Sequence, residues 1–337
     1  MKEKEYKMLS KIEIDETLIR PVFIVNIEEG RTNKGKGDPY VKFLISDSVS
    51  QIKANMFKRS DGSAVTLSDL NAHGIKKEML VTMTLQKNDK GYVNVACIDK
   101  TVDPDVTLND FAIKAEGSAD IRFNNILDIL DRLSMERKAI YKESASISDI
   151  AIGIYKANEE KIKWSSAAAM MHSGYAGGLM EHTEAMVRNA VSICKVYPDL
   201  DEELLVTAAA LHDIGKIEEL DTNPLGRAEY SPKGICLGHI VLGYSYVDRW
   251  VCNNPGVYPE DRVMLLESLI LSHQGKNEYG CPIEPVVKEA FMLYYIDEMD
   301  AKYQEVKKGL LGVKPGEISP DKIMGIGHKI YNPKEEG

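Results

Sequence analysis

The sequence predicts a multidomain protein in which a small all-β barrel is followed by an all-α domain. Apolar residues alternate with period two in the first third of the 337 residues, and helical periodicity dominates after about residue 120. The length also favours two domains over one. We expect a barrel domain at 1–105, a linker at 106–120, a helical domain at 121–310 and an irregular C-terminal tail at 311–337.

The barrel is predicted from strand-like runs rich in apolar and β-branched residues. A polar segment at 58–77 separates the third run from the fourth and leaves room for a short helix. This arrangement fits a Greek-key barrel such as an OB-fold, with a β-sandwich as the alternative. The runs are 19–29, 39–46, 51–57, 79–86 and 92–99.

The second and third runs each have one face that is not wholly apolar. Aromatic rings stack on bases and lysines hold phosphates, so a face that combines them predicts a platform for single-stranded nucleic acid. An ordinary solvated surface is the alternative. The candidate nucleic-acid-binding residues are Tyr40, Lys42, Lys53, Asn55 and Phe57.

The helical domain is predicted from apolar residues spaced three and four apart. Pro198-Asp199 and Pro285 supply two of the start signals. The predicted helices are 120–135, 146–158, 181–196, 202–214, 236–252, 260–273 and 285–306.

Composition excludes several classes of protein. Apolar residues make up 44% and charged residues 28%, which is ordinary for a globular chain. No run approaches the roughly 20 apolar residues of a membrane span, and the charged N-terminus lacks the features of a signal peptide. The five cysteines are scattered without a C-x-x-C pair, which disfavours disulfides and thiolate zinc sites. We therefore expect a cytoplasmic protein with no membrane partner.

The charge is uneven along the chain. The first 100 residues hold 17 basic and 14 acidic residues, whereas the remainder holds 25 basic and 38 acidic ones. A net charge of −10 argues against coating nucleic acid by charge alone. Binding through the first hundred residues, or through bound cations, stays open.

Histidines and aspartates in the helical half form a candidate metal site. The sharpest feature is the adjacent pair His212-Asp213 in the apolar string AAALHDIG, since a buried carboxylate costs several kcal/mol without a compensating partner. Imidazole and carboxylate ligands suit Mn, Fe, Zn, Co or Mg. The candidate ligands are His182, His212, Asp213, His239, His273 and Asp297.

The order H…HD…D resembles the signature of the HD phosphohydrolase superfamily, an all-helical metal-dependent fold. Within it, the chain is similar to the YhaM-type 3′→5′ exoribonucleases, which place an OB-fold before an HD domain. The resemblance covers roughly 15–306. The strings that carry it are GGLMEHT (177–183), ALHDIGKIEEL (210–220), LGHIVLGY (237–244), LILSHQGKNEYGCPIEP (269–285) and YYIDEMDAK (294–302).

This resemblance implies roles for the candidate residues. Two divalent cations are implied, with Mn²⁺ first and Fe, Co, Zn or Mg as alternatives, and Asp213 would bridge them. Lys216 would contact a nonbridging phosphate oxygen, with a solvated helix-end lysine as the alternative. His212, Asp213 and Lys216 are thus the candidate catalytic residues. The first cation would be held by His182, His212, Asp213 and Asp297, and the second by Asp213, His239 and His273.

Four positions depart from the family pattern or leave a choice open. Gln274 follows His273 where relatives often have a second histidine, and Phe57 stands where they often have tryptophan. Asp300 lies one turn after Asp297 and competes with it as the ligand. His172 could approach substrate or be structural. His73 and His328 lie outside the constellation and are assigned no role.

The implied activity is a metal-dependent 3′→5′ exoribonuclease that degrades single-stranded RNA, with single-stranded DNA as a further substrate, to nucleoside monophosphates. One alternative is an HD-type nucleotide phosphohydrolase, which would not need the barrel. Another is a nucleic-acid-binding or replication-stimulating factor whose HD site is secondary. A homo-oligomer is a further partner that the residues neither require nor exclude.

Overall fold

The computed structural model describes residues 6–32, 37–47, 50–59, 61–107, 110–111, 115, 117–169, 175–223, 226–323 and 325–334. The chain forms two compact units, Met1–Ile113 and Lys114–Gly337. The first unit is rich in strands and the second is mostly helical, which confirms the predicted fold class. No helix in the described part of the chain has the length and hydropathy needed to span a membrane.

The first unit contains the strands β1 (Thr17–Arg31), β2 (Pro39–Ser46), β3 (Gln51–Met56), β4 (Met79–Lys87) and β5 (Val93–Asp99). These strands close into a barrel in the order β1-β2-β3-β5-β4. Only the β3–β5 pair is parallel among these described pairings. A 3₁₀ turn at Leu9–Lys11 precedes the barrel, and helix α1 (Leu67–Ala72) connects β3 to β4. This topology is that of an OB-fold, and the β-sandwich alternative was wrong.

Alternation along the strands places the barrel core. Val41, Phe43 and Ile45 of β2 are buried, while Tyr40 and Lys42 at the alternate positions point outwards. The short helix α1 begins with a capping box, in which Thr66 and Asp69 exchange hydrogen bonds. Strand β3 ends at Met56, one residue earlier than the predicted run.

The second unit begins with α2 (Ala119–Tyr141), α3 (Ile147–Ala157), α4 (Glu159–Trp164) and α5 (Gly178–Val196). It continues with α6 (Glu202–Leu211), α7 (Lys216–Glu219), α8 (Pro232–Cys252), α9 (Glu260–Ser272) and α10 (Lys288–Gly309). A small hairpin of β6 (Leu220–Thr222) and β7 (Ala228–Tyr230) lies between α7 and α8, and a 3₁₀ turn covers Asn277–Tyr279.

Helix α6 is the centre of this unit. Every residue from Glu203 to Leu211 is buried, and the helix packs against α2, α3, α5, α9 and α10. A helix that is apolar all round belongs in the interior. The chain leaves α6 directly into His212 and Asp213, so these two residues lie deep in the helical unit.

The differences from the predicted helices have local causes. Helix α4 and the β6–β7 hairpin were not predicted, because six and three residues are too few to show a period. The predicted helix at 202–214 ends at Leu211, since residues 212–215 form turns. The last helix begins at Lys288 rather than at Pro285. In the tail, an isolated bridge joins Ile318 to Tyr331.

Candidate metal centre

The helical fold brings the four candidate histidines and two aspartates into one cluster. One group consists of His182, His212 and Asp297, and the other of Asp213, His239 and His273. Within each group the potential ligand atoms lie within 4.8 Å of one another. Helix α5 carries His182, α8 carries His239 and α10 carries Asp297, while His212 and His273 directly follow α6 and α9.

Asp213 lies between the two groups. Its Oδ2 is 3.4 Å from Nε2 of His212 and 3.7 Å from Nε2 of His182. Its Oδ1 is 3.5 Å from Nε2 of His239 and 3.8 Å from Nε2 of His273. One carboxylate thus presents a different oxygen to each histidine pair, which is the geometry of a bridging ligand.

The Nδ1 atom of each clustered histidine has an acceptor beside it. Two acceptors are backbone carbonyls three residues earlier: Ala209 O is 2.9 Å from Nδ1 of His212, and Ile270 O is 2.7 Å from Nδ1 of His273. The other two acceptors are carboxylates. Asp300 Oδ2 is 2.7 Å from Nδ1 of His182, and Glu219 Oε1 is 3.1 Å from Nδ1 of His239. A donor at Nδ1 leaves Nε2 as the metal-binding nitrogen.

His239 depends on a break in its helix. Gly238 has φ 69° and ψ 156°, a conformation that only glycine adopts without strain. The amide of His239 donates to the same Glu219 oxygen that faces its ring. Backbone and ring of His239 are therefore both held by Glu219.

The electrostatics of the cluster are those of a cation site. Burial alone would lower the pKa of His182, but hydrogen bonds with Asp297 and Asp300 outweigh burial and raise it to about 10. Burial alone would raise the pKa of Asp213, but Lys216 and the histidines outweigh burial and hold it well below its usual range. The site thus keeps its bridging carboxylate ionised.

His273 provides the test of whether the residues fit a metal. Burial, followed by the nearby His212, lowers the His273 pKa to about 3, so the ring is neutral. Its Nε2 is buried and has no hydrogen-bond partner within the described residues. A neutral imidazole nitrogen without a partner, aimed at a carboxylate and other imidazoles, suits a divalent cation.

Lys216 lies beside the bridging carboxylate. Its Nζ is 2.6 Å from Oδ2 of Asp213. Burial alone would lower the Lys216 pKa, but Asp213 outweighs burial and raises it, so the ammonium stays charged. A polar cavity of about 180 Å³ opens here, lined by Ala167, His182, Asp213, Lys216, Gln274, Asp297 and Ala301.

The structure separates the two competing aspartates. Asp297 Oδ1 faces Nε2 of His182 at 3.3 Å, whereas Asp300 faces Nδ1 on the other side of the ring. Asp297 therefore belongs to the group of potential ligands, and Asp300 contacts the other nitrogen of the ring. His73 and His328 lie elsewhere, each with its Nδ1 beside a backbone carbonyl. His172 lies outside the described residues.

Glu219 was missed by the sequence analysis although it lies inside the string 210–220. Glu219 and His239 are 20 residues apart in sequence, and the packing of α7 against α8 brings them together. The Gln274 Nε2 lies 3.3 Å from Nε2 of His239, so this residue reaches the second group as well.

Four of the candidate nucleic-acid-binding residues, Tyr40, Lys42, Lys53 and Asn55, lie on the outer face of β2 and β3, and Phe57 directly follows β3. The rings of Tyr40 and Phe57 stack with centroids 4.8 Å apart and an interplanar angle of 20°. The Nζ of Lys42 lies 5.7 Å from the Tyr40 ring centroid. Lys42 pairs with Asn55, and Leu44 with Lys53, in the β2–β3 register. The arrangement is an aromatic pair flanked by cations.

Comparison with known proteins identifies a domain of the chain and the family to which the chain belongs. The model of the HD domain matches residues 179–302, so the helical unit contains an HD domain. A 3′-5′ exoribonuclease YhaM of Shouchella clausii is 30% identical over 298 residues, which cover 87% of this chain and 86% of the relative. The chain belongs to the YhaM family.

Two further relatives cover nearly the whole chain. The 3′-5′ exoribonuclease YhaM of Bacillus subtilis is 28% identical over 321 residues, 95% of this chain and 96% of the relative. That of Listeria monocytogenes serovar 1/2a is 27% identical over 333 residues, 98% and 99%. The similarity therefore spans the barrel as well as the HD domain, and the predicted family is confirmed.

Proposed function

We propose that this protein is a metal-dependent 3′→5′ exoribonuclease that hydrolyses single-stranded RNA to nucleoside monophosphates. The observation that carries the proposal is the position of Asp213 between two histidine pairs. Membership in a family of proteins named 3′-5′ exoribonucleases supports the polarity and the substrate.

The donor set supports two divalent cations. His182, His212 and Asp297 would hold one, His239 and His273 the other, and Asp213 would contact both. Mn²⁺ is our first choice because nitrogen and carboxylate ligands without thiolates suit it, and Fe, Co, Zn and Mg are alternatives. When bound, such ions supply Lewis-acid activation of water and neutralise phosphate charge.

Lys216 and the cavity receive the phosphate in this proposal. The charged ammonium of Lys216 borders the cavity, where it can donate hydrogen bonds to a nonbridging phosphate oxygen as negative charge develops. The cavity of about 180 Å³ is smaller than typical ligand pockets, which span roughly 300 to 1,000 Å³. A phosphate group fits this volume.

The barrel supports a polymeric substrate. Tyr40 and Phe57 offer ring faces to bases, while Lys42 and Lys53 offer cations to the backbone. A platform of this kind retains a strand while the end of that strand is degraded. Hydrolysis of a mononucleotide would not require such a platform. Single-stranded DNA stays a further substrate to test, and homo-oligomer formation and a cytoplasmic location stay predictions.

The test is a time course on 5′-labelled single-stranded RNA with Mn²⁺. We expect a ladder that shortens from the 3′ end, and no ladder from the His212→Ala/Asp213→Ala double variant. His328→Ala, which changes an exposed histidine outside the cluster, should behave as wild type.

Two results would overturn the proposal. RNA that stays intact while a mononucleotide is hydrolysed would favour the nucleotide phosphohydrolase. RNA that both the wild type and the double variant bind but do not cleave would favour a binding or replication-stimulating factor.

A further inference from the structure

The segment that follows the candidate ligand His273 and leads to α10 has no role in the activity described so far. It begins at Gln274, which lines the metal cavity, and continues through a 3₁₀ turn to Cys281. Cys281 is buried, and the backbone of Gln274, Gly275 and Lys276 lies beside its sulfur. This contact places the start of the segment at the edge of the cavity.

Tyr294 of α10 packs against this segment. A Cβ atom on Gly275 would lie 2.4 Å from Cδ2 of Tyr294, so the ring rests directly on the Gly275 backbone. Gly275 also has φ +82°, which a larger residue would adopt only with strain. Tyr294 precedes Asp297 by one helical turn and shares a face of α10 with it, and Gly275 beneath its ring follows Gln274 of the metal cavity.

Further aromatic and cationic groups surround Tyr294. The ring of Tyr295 has its centroid 5.0 Å away, with an interplanar angle of 43°. Tyr279 is 53% exposed, and the Nζ of Lys276 lies 5.3 Å from its ring centroid. Burial and a hydrogen bond with Glu298 raise the Tyr294 pKa, and Lys276 and Tyr279 are also close enough to influence it. We call Lys276, Tyr279, Tyr294 and Tyr295 the aromatic lip.

We propose that the aromatic lip binds the 3′-terminal nucleotides of single-stranded RNA, with bases stacked on Tyr279 and Tyr294 and a backbone phosphate beside Lys276. This inference rests on the proposed function. Tyr294 rests on Gly275, which follows Gln274 of the metal cavity, so a nucleotide whose phosphate lies in the cavity can place its base against these rings. Stacking on rings accepts every base, which an exonuclease that consumes a whole strand requires.

The lip is separate in sequence from the platform on the barrel. The barrel residues retain the strand along its length, whereas the lip would act only on the end that enters the metal centre. Loss of the lip should therefore change the recognition of the terminal base and leave the interaction with internal nucleotides unaltered.

The first test compares RNAs that end in a normal nucleotide or in an abasic one. We expect Tyr279→Ala and Tyr294→Leu to raise KM for the normal RNA roughly tenfold, as for the loss of one stacked base. On the abasic RNA, these variants and the wild type should have equal KM values. Tyr294→Phe should retain the wild-type KM, because the ring face remains.

The matched control is Tyr303→Ala, on another face of α10 and 63% exposed. It should leave KM unchanged for both RNAs. Equal KM values for wild type, Tyr279→Ala and Tyr294→Leu on the normal RNA would overturn the lip. If the wild type degrades neither RNA, the proposed function itself fails, and the two failures are distinct.

A second measurement reads the stacking directly in the Mn²⁺-loaded protein. The probe is an RNA with 2-aminopurine at its 3′ end and phosphorothioates at its last linkages, which slow cleavage. We expect the wild type to quench the terminal fluorophore and Tyr279→Ala to lose most of that quenching. A fluorophore placed eight nucleotides inward should respond equally to both proteins. Equal quenching of the terminal probe would overturn the lip even if the KM values differed.

Discussion

Oδ2 of Asp300 lies 2.7 Å from Nδ1 of His182, while Nε2 of the same ring faces His212 at 3.2 Å. Asp300 is buried on α10, one turn beyond Asp297. Helix α10 thus supplies two carboxylates to His182: Asp297 faces Nε2, and Asp300 orients the ring through Nδ1. Glu219 holds His239 in the same way, so each histidine pair contains one ring held by a carboxylate and one held by a backbone carbonyl.

Removing the charge of Asp300 should weaken metal binding. We expect Asp300→Asn to lower Mn²⁺ affinity about 10- to 100-fold, because loss of the carboxylate lowers the basicity of His182 and loosens its orientation. Calorimetric titration of the metal-free protein with Mn²⁺ measures this effect. Asp261→Asn, at an exposed position on α9, is the matched control. An unchanged affinity would show that Asp300 has no part in the site.

Glu219→Gln should affect the other half of the centre. If two cations bind with different affinities, we expect this variant to weaken the step that Asp300→Asn leaves alone, by a similar factor. The same titration, fitted with two steps, distinguishes the variants. A single step weakened equally by both substitutions would mean that the cluster binds one cation.

Tyr40 should contribute to RNA binding through its ring. We expect Tyr40→Ala to weaken binding of a labelled single-stranded RNA roughly tenfold, since one stacked base is worth about 1 to 3 kcal/mol. Fluorescence anisotropy in the His212→Ala/Asp213→Ala background prevents degradation during the measurement. Tyr92→Ala, an exposed tyrosine in the β4–β5 connection, should bind as the parent does. Equal losses in both variants would exclude a specific platform.

Gly30 should matter for the position of the platform. A Cβ there would lie 2.7 Å from Cε of Lys42 and 2.8 Å from Cζ of Tyr40, so a side chain displaces both. We expect Gly30→Val to weaken RNA binding several-fold while the barrel stays folded, because the displaced atoms are ends of side chains. Circular dichroism checks that the barrel stays folded, and fluorescence anisotropy measures the affinity for RNA. Thr17→Val on the same strand is the control, and wild-type affinity in Gly30→Val would contradict the prediction.

Asp149 should make the helical unit less stable in acid. Its carboxylate accepts hydrogen bonds from Ser134, Lys138 and the amide of Ser146, and thereby ties α2 to α3. Burial alone would raise the Asp149 pKa, but Lys138 and the other donors outweigh burial and lower it below 3.8. Folding therefore favours the ionised form. Its stabilisation is complete above the unfolded pKa and is lost as pH falls through the folded one.

The corresponding variant is Asp149→Asn. We expect it to lower the free energy of unfolding by about 1 to 3 kcal/mol at pH 7, with a difference from wild type that shrinks below about pH 4. Urea unfolding followed by helical circular dichroism measures both values. Asp128→Asn, exposed on α2, should show no such dependence. A difference that stays constant from pH 7 to pH 3 would mean that the charge of Asp149 has no role.

The sequence by itself determined the order of domains, the strand and helix types and the candidate ligands. Alternation at Val41, Phe43 and Ile45 is a local property, and so is the apolar string that ends in His212. Period and composition are properties of a few neighbouring residues, so they can be recognised without knowledge of the fold. The short helix α4 and the β6–β7 hairpin were beyond this approach because six and three residues are too few to establish a period.

Only the tertiary structure decided what each side chain faces. Asp297 and Asp300 are three residues apart, and the packing of α10 against α5 places one beside Nε2 of His182 and the other beside Nδ1. The same holds for Glu219, which reaches His239 through the contact of α7 with α8. Helical spacing restricts which residues share a face, but the rotation of one helix against another depends on the interdigitation of whole surfaces.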